Sequence, residues 1–142
     1  MKVLTVLVPT YNVEKYLRRC LDSLLLPEVL EEIEVLVVND GSKDGSADIA
    51  RAYEKKYPQT VVFVDKENGG HGSTINVGIE KAQGTYFKVL DSDDWVNEQA
   101  YRQVLDTLRR FVYGKDTLDM LITNFVYEKQ GARHKKVMSY KL

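Results

Sequence analysis

The sequence predicts an α/β fold, a mostly parallel sheet with helices on both faces. Short apolar, β-branched runs alternate with segments whose apolar residues recur at helical spacing. The runs are apolar throughout rather than at every second residue, which is the pattern of strands covered on both sides. The intervening segments are long enough to be the crossover helices that parallel strands require.

The elements follow in order. "VLTVLVP" (residues 3–9) reads as the first buried strand. Val13, Tyr16, Leu17, Cys20, Leu21, Leu24 and Leu25 then fall on one helical stripe, with Asn12 as the expected N-cap and Pro27 as the stop. "IEVLVVND" (33–40) is the second strand. "SADIARAYEKKY" (46–57) is a helix with Ile49, Ala50, Tyr53 and Tyr57 on one face. "TVVFVD" (60–65) is the third strand. "GSTINVGIEKAQG" (72–84) is a helix capped by Ser73 or Gly72 and closed by Gly84 in the C′ position. "TYFKVLD" (85–91) is the fourth strand, and Tyr101, Val104, Leu105, Leu108 and Val112 stripe the next helix. "LDMLITNFVYEK" (118–129) and "HKKVMSYK" (134–141) read as strands, the second alternating and at an edge.

The 142 residues suit one domain, 1–142, with 44% hydrophobic and 29% charged residues, as in a soluble globular protein. The 20 Lys and Arg nearly balance the 21 Asp and Glu, so no global charge argues for nucleic acid as a partner. The single Cys20 excludes an internal disulfide and fits a reducing compartment. The opening apolar run is too short for a membrane span, so a soluble, cytoplasmic chain is expected. Repeats, low-complexity tracts and linkers are absent. After Glu128 every charged residue is basic: Lys129, Arg133, Lys135, Lys136 and Lys141. These lysines either protect a solvated edge strand or meet an anionic acceptor or membrane surface.

The chemistry gathers at the strand ends, where open parallel sheets bind ligands. "PTYN" follows the first strand, "NDGSKDGS" the second, "DKENGGHGS" the third and "DSDD" the fourth. Asp40 stands where a buried strand meets Gly41 and leads to a helix, which disfavours a hairpin turn. It is either a loop residue or an acceptor for a heterocycle N–H. "NGGHGS" is neither a Walker A loop nor a dinucleotide fingerprint, since no Gly-Lys-Ser/Thr follows and the first strand ends in "PTYN". Its glycines let backbone pass close to a ligand, and His71 is either exposed or a phosphate contact. Asp91 and Asp93, two apart on extended chain, are expected to converge while Asp94 points elsewhere. The three carboxylates either cap the next helix, which accounts for one of them, or hold a hard divalent cation such as Mg2+ or Mn2+.

Taken in order, "PTYN", "VVNDGSKDGS", "ENGG" and "LDSDD" resemble the family 2 glycosyltransferases of the Rossmann-like GT-A fold. The ordered set spans residues 3–94, with plausible family-like structure as far as residue 127. The resemblance implies metal-dependent transfer of a sugar from a nucleotide-diphosphate donor, UDP favoured, to an acceptor hydroxyl with inversion, within cell-envelope polysaccharide biosynthesis. It implies that Thr10, Tyr11 and Asn12 border the nucleoside and that Asp40 bonds the base, while Asn68, Gly69 and Gly70 shape the donor pocket. Asp91 would approach the ribose or the metal, and Asp93 would ligate the metal bridging the phosphates. Pro9 and Ser92 complete the donor-binding set, and Asp94 matches a frequent extra acidic residue. The acceptor would be a saccharide or a lipid-linked molecule. Family members continue well beyond this region into a half that supplies the acceptor site and the general base. Asp116 and Asp119 carry no mark of that base. The chain is therefore expected to be an N-terminal portion, truncated on its C-terminal side, with peripheral association at the inner face of the membrane through regions outside it. It would bind donor and turn over poorly or not at all.

Two other readings compete with this one. A nucleotidyltransferase would want a glycine-rich basic loop after the first strand, and "PTYNVEKYLRR" has no glycine. A nucleotide-binding module without turnover would keep Asp40, Asp91 and Asp93 and lack only the base.

Overall fold

The computed structural model describes residues 2–113 in full and the backbone of 124–129 and 136–139. Four strands form a parallel sheet: β1 (Leu4–Thr10), β2 (Ile33–Asp40), β3 (Val61–Lys66) and β4 (Tyr86–Val89), in the order β3-β2-β1-β4. Among the described residues the α-helices are α1 (Leu17–Leu24), α2 (Ser46–Lys56), α3 (His71–Lys81) and α4 (Glu98–Tyr113). The predicted α/β architecture is therefore present.

Strand alternation divides the core. Leu4, Val6 and Val8 of β1 and Ile33, Val35 and Val37 of β2 pack with Leu17, Leu21 and Leu24 of α1, Ile49 and Ala50 of α2, and Tyr101, Leu105 and Leu108 of α4. The opposite face carries Leu7, Leu36 and Val38 against Ile75 of α3. Every residue of β2 is buried, as its central place and unbroken apolar run require. α1 forms because Leu17, Cys20, Leu21 and Leu24 bury one stripe. It ends before Leu26, whose extended backbone suits a residue preceding proline, and Pro27 opens a short 3-10 turn (Pro27–Val29).

Three boundaries depart from expectation. Asn12 does not cap α1, which begins four residues after Val13 behind a turn closed by Tyr16 N–H to Val13 O; Tyr16 occupies the cap position without a side-chain bond. Asn12 sits at φ 52°, a left-handed conformation that a short polar side chain tolerates. α3 starts at His71 with Gly70 as N-cap, so neither Gly72 nor Ser73 holds that position. Gly84 is not the residue that closes α3, because the C-cap is Ala82. Gly84 is instead a close-approach site, where a Cβ would stand 2.5 Å from the Thr5 nitrogen. Its N–H donates to Thr5 Oγ1 at 2.8 Å, and Thr5 in turn donates to the buried Glu34 carboxylate at 2.8 Å.

A further strand, β5 (Asp94–Val96), has no counterpart among the elements the sequence predicts. It pairs antiparallel with β6 (Asn124–Lys129), which pairs antiparallel with β7 (Lys136–Ser139) at the sheet edge. The two late strands are thus present over those residues, and the rest of the predicted segments lies outside the described residues. Among the described residues no helix is long and apolar enough to cross a membrane.

Candidate functional site

The chain runs outward from β1 through β2 to β3, then returns to place β4 on the other side of β1. Such a reversal opens a crevice beyond the strands' carboxyl ends. A cleft of about 460 Å3 lies there, lined by residues from all four strand ends: Pro9, Thr10 and Tyr11, then Asp40, then Asn68 and Gly70, then Asp91, Ser92 and Asp93. Nine predicted donor or metal residues are brought together. Asn12 and Gly69 do not line it.

Those two act from behind. Asn12 N–H donates to Ser42 Oγ at 3.0 Å, and its side-chain oxygen accepts from Lys43 N–H at 2.8 Å. Val13 N–H donates to Ser46 Oγ at 2.9 Å and Glu14 N–H to Asp44 Oδ2 at 3.1 Å, so the loop after β1 is stitched to the loop after β2. Gly69 donates its N–H to Asp40 Oδ1 at 2.8 Å, and Gly70 donates to Oδ2 at 3.0 Å.

Asp40 is the anchor of this wall. Its carboxylate is buried, and Lys66 Nζ lies 2.7 Å from Oδ1. Burial works against the charged form, but the lysine and the two amides outweigh it and hold Asp40 below the usual carboxylate range. Lys66 was missed from the sequence. The available signal was register: Lys66 pairs with Asp40 across adjacent parallel strands, each residue ending its strand. Gly41 turns the chain away at φ 74°, and a Cβ there would meet the Asn68 backbone nitrogen at 3.0 Å. Val13, His71 and Thr74 also line the cleft; of these only His71 was considered as a ligand contact.

The opposite wall is the acidic turn after β4. Leu90 N–H still bonds to Leu7 O, but Asp94 N–H turns back to Asp91 O at 3.0 Å. The expected extended alternation therefore fails, and with it the expectation that Asp94 points elsewhere. Asp91, Asp93 and Asp94 each offer an oxygen within 4.8 Å of the others, Asp91 exposed, Asp93 half-buried and Asp94 buried. The helix-capping alternative is also overturned: Asn97 Oδ1 accepts from Ala100 N–H at 3.0 Å, and Asp94 belongs to β5. Oxygen-only donors so close together suit a hard divalent cation. Beneath the turn lies the fully buried Cys20, whose thiol reaches Asp91 O at 3.8 Å. Burial first, then the three carboxylates, push that thiol far above its ordinary pKa.

The profile of glycosyl transferase family 2 matches residues 5–137. The chain belongs to this family. Its relatives include the putative glycosyltransferase EpsH of Bacillus subtilis strain 168, 40% identical over 87% of this chain and 34% of EpsH. The minor teichoic acid biosynthesis protein GgaB of the same organism is 40% identical over 72% of this chain and 11% of GgaB. Among solved structures, S. aureus TarS 1–349 in complex with UDP-GlcNAc is 34% identical with a TM-score of 0.64, covering 79% of this chain and 32% of that one. The family 2 chain therefore has the GT-A fold, and it spans about a third or less of the length of these relatives.

Proposed function

We propose that this family 2 chain is the donor-binding part of a metal-dependent, inverting glycosyltransferase acting on a nucleotide-diphosphate sugar, with UDP the favoured nucleotide. The observation that carries this reading is one cleft with a fixed carboxylate, Asp40, on one wall and the Asp91–Asp93–Asp94 cluster on another.

Each wall suits one part of such a donor. A carboxylate has about four lone-pair sites. Asp40 uses three of them on Lys66, Gly69 and Gly70, which leaves Oδ2 able to accept an N–H from a base. Pro9, Thr10 and Tyr11 border that end of the cleft, with Tyr11 exposed to lie along a nucleoside. Asp91 and Asp93, with Asp94 behind them, would hold Mn2+ or Mg2+ against the diphosphate. The ion would supply Lewis-acid neutralisation of the charge that develops as the nucleoside diphosphate leaves. Ser92, buried between the two aspartates, lines the cleft with them. The family resemblance and the UDP-GlcNAc complex of TarS support a uridine donor. Asp116 and Asp119 lie outside the described residues, and no residue is assigned as the base. Relatives such as GgaB support a role in cell-envelope polymer synthesis, with a saccharide or lipid-linked acceptor.

Calorimetry with UDP and GDP, each with and without Mn2+, tests the reading. UDP should bind, and bind more tightly with the metal. Metal-independent binding would sink the ion bridge, and binding of neither nucleotide would sink the donor site. Binding without hydrolysis or transfer of UDP-GlcNAc would identify a nucleotide-binding module that does not turn over by itself.

A further inference from the structure

A second crevice, of about 220 Å3, opens beside the donor cleft and shares Asp93 with it. Its other walls are Lys15 and Tyr16 from the turn before α1, Arg19 from the first turn of α1, and Trp95 from β5. The chemistry of the two hollows differs. Among the described residues, the donor cleft is lined by the carboxylates Asp40, Asp91 and Asp93 and by His71. Among the described residues, the second crevice is lined by two cations, two aromatic rings and one carboxylate, Asp93. The Arg19 guanidinium carbon stands 4.8 Å from the centroid of the Trp95 ring, a cation–π distance that orients the fork beside the crevice. Lys15 is exposed, so its ammonium reaches the mouth of the crevice at little cost.

We infer that this crevice is an acceptor subsite, and that the acceptor it takes carries a phosphate next to its sugar or polyol. The inference rests on the glycosyl-transfer reading above. Aromatic rings offer apolar area to the C–H face of a sugar, while Arg and Lys recognise phosphate through charge-assisted hydrogen bonds. Asp93 is the common wall, so an acceptor seated here adjoins the end of the donor cleft where the metal and diphosphate would lie. The crevice is formed by the turn before α1, α1 and β5, so it would be this chain's own share of an acceptor site, beside what the family resemblance places in a later half.

Trp95 is the chain's only tryptophan and lines this crevice, so its fluorescence, read in the absence of metal and nucleotide, reports binding there. The 142-residue chain is titrated with glucose 6-phosphate, with glucose, and with phosphatidylcholine vesicles that contain or lack phosphatidic acid. A saturable change with glucose 6-phosphate and none with glucose is expected, weakened about tenfold or more by Lys15→Glu and by Arg19→Ala. A change with phosphatidic acid vesicles in place of the soluble phosphate would support the crevice and assign a lipid-borne source. UDP binding with Mn2+, followed by calorimetry, should remain unchanged in Lys15→Glu. Equal responses to glucose and glucose 6-phosphate, no response to either phosphate source, or an affinity indifferent to both substitutions would overturn the inference. Failure of the wild-type chain to bind UDP sinks the donor reading; failure of the phosphate response while UDP binds sinks the acceptor crevice alone.

Discussion

Two acidic regions face each other across the cleft, and they are built in opposite ways. Asp40 at the end of β2 comes with its countercharge: Lys66 at 2.7 Å and two backbone amides. The turn after β4 instead draws three carboxylates within 4.8 Å of one another, and no salt bridge among the described residues includes Asp91 or Asp93. A carboxylate neutralised from within shapes the protein whether or not a ligand arrives. A cluster of carboxylates costs repulsion until a cation joins it, and it is the region whose behaviour should depend on metal.

The largest expected effect separates the regions outright. Asp93→Ala should remove the dependence of UDP affinity on Mn2+, and in any form of the protein that turns donor over it should lower kcat by about a hundredfold or more, the scale of losing a charge-stabilising group. Calorimetry and donor-turnover assays check this, while thermal melting of the metal-free variant should be little changed or slightly improved as repulsion falls. Asp40→Ala should do the reverse to stability. It strands Lys66 and leaves the Gly69 and Gly70 amides without their acceptor, costing about 2 kcal/mol in urea unfolding as well as weakening UDP. If Asp93→Ala proved the more destabilising change, the comparison would break.

The acid limb of stability sharpens it further. Asp40 titrates below its ordinary value, so the stability it contributes is fully present above the unfolded-state pKa, near 4. That contribution is lost as pH falls through the lower folded-state pKa. The stability gap between wild type and Asp40→Asn should therefore be constant from pH 7 to about 5 and close in stronger acid, as urea melts at several pH values would record. The smallest signal expected is from Cys20. Sealed under the acidic turn, it should react with a thiol reagent only as fast as the protein opens, and Mn2+ with UDP should slow it further.

How much of this was legible in the sequence depended on whether the cause was local. The four parallel strands and the residues at their ends could be read because apolar runs and polar ends are properties of contiguous chain. Asp94 was misplaced because alternation assumes extended backbone, and a turn between Asp91 and Asp94 brings its side chain back to its neighbours. Gly84 looked like a helix stop because it follows one, whereas its reason lies at Thr5, remote in sequence. Asn12 has the chemistry of a cap and spends it on the next loop instead. Lys66 needed strand register, which a single strand does not disclose. Trp95 and Val96 precede a helix in sequence, and only their pairing with Glu128 and Tyr127 makes them a strand.

The stitching of the first two loops, from Asn12 to Glu14 on one side and from Ser42 to Ser46 on the other, has a thermodynamic consequence. The rim where a nucleoside would rest is already tied by four hydrogen bonds before anything enters, so less chain entropy should be surrendered on arrival. Such a mould discriminates by excluding what does not match its outline, rather than by folding around whatever comes.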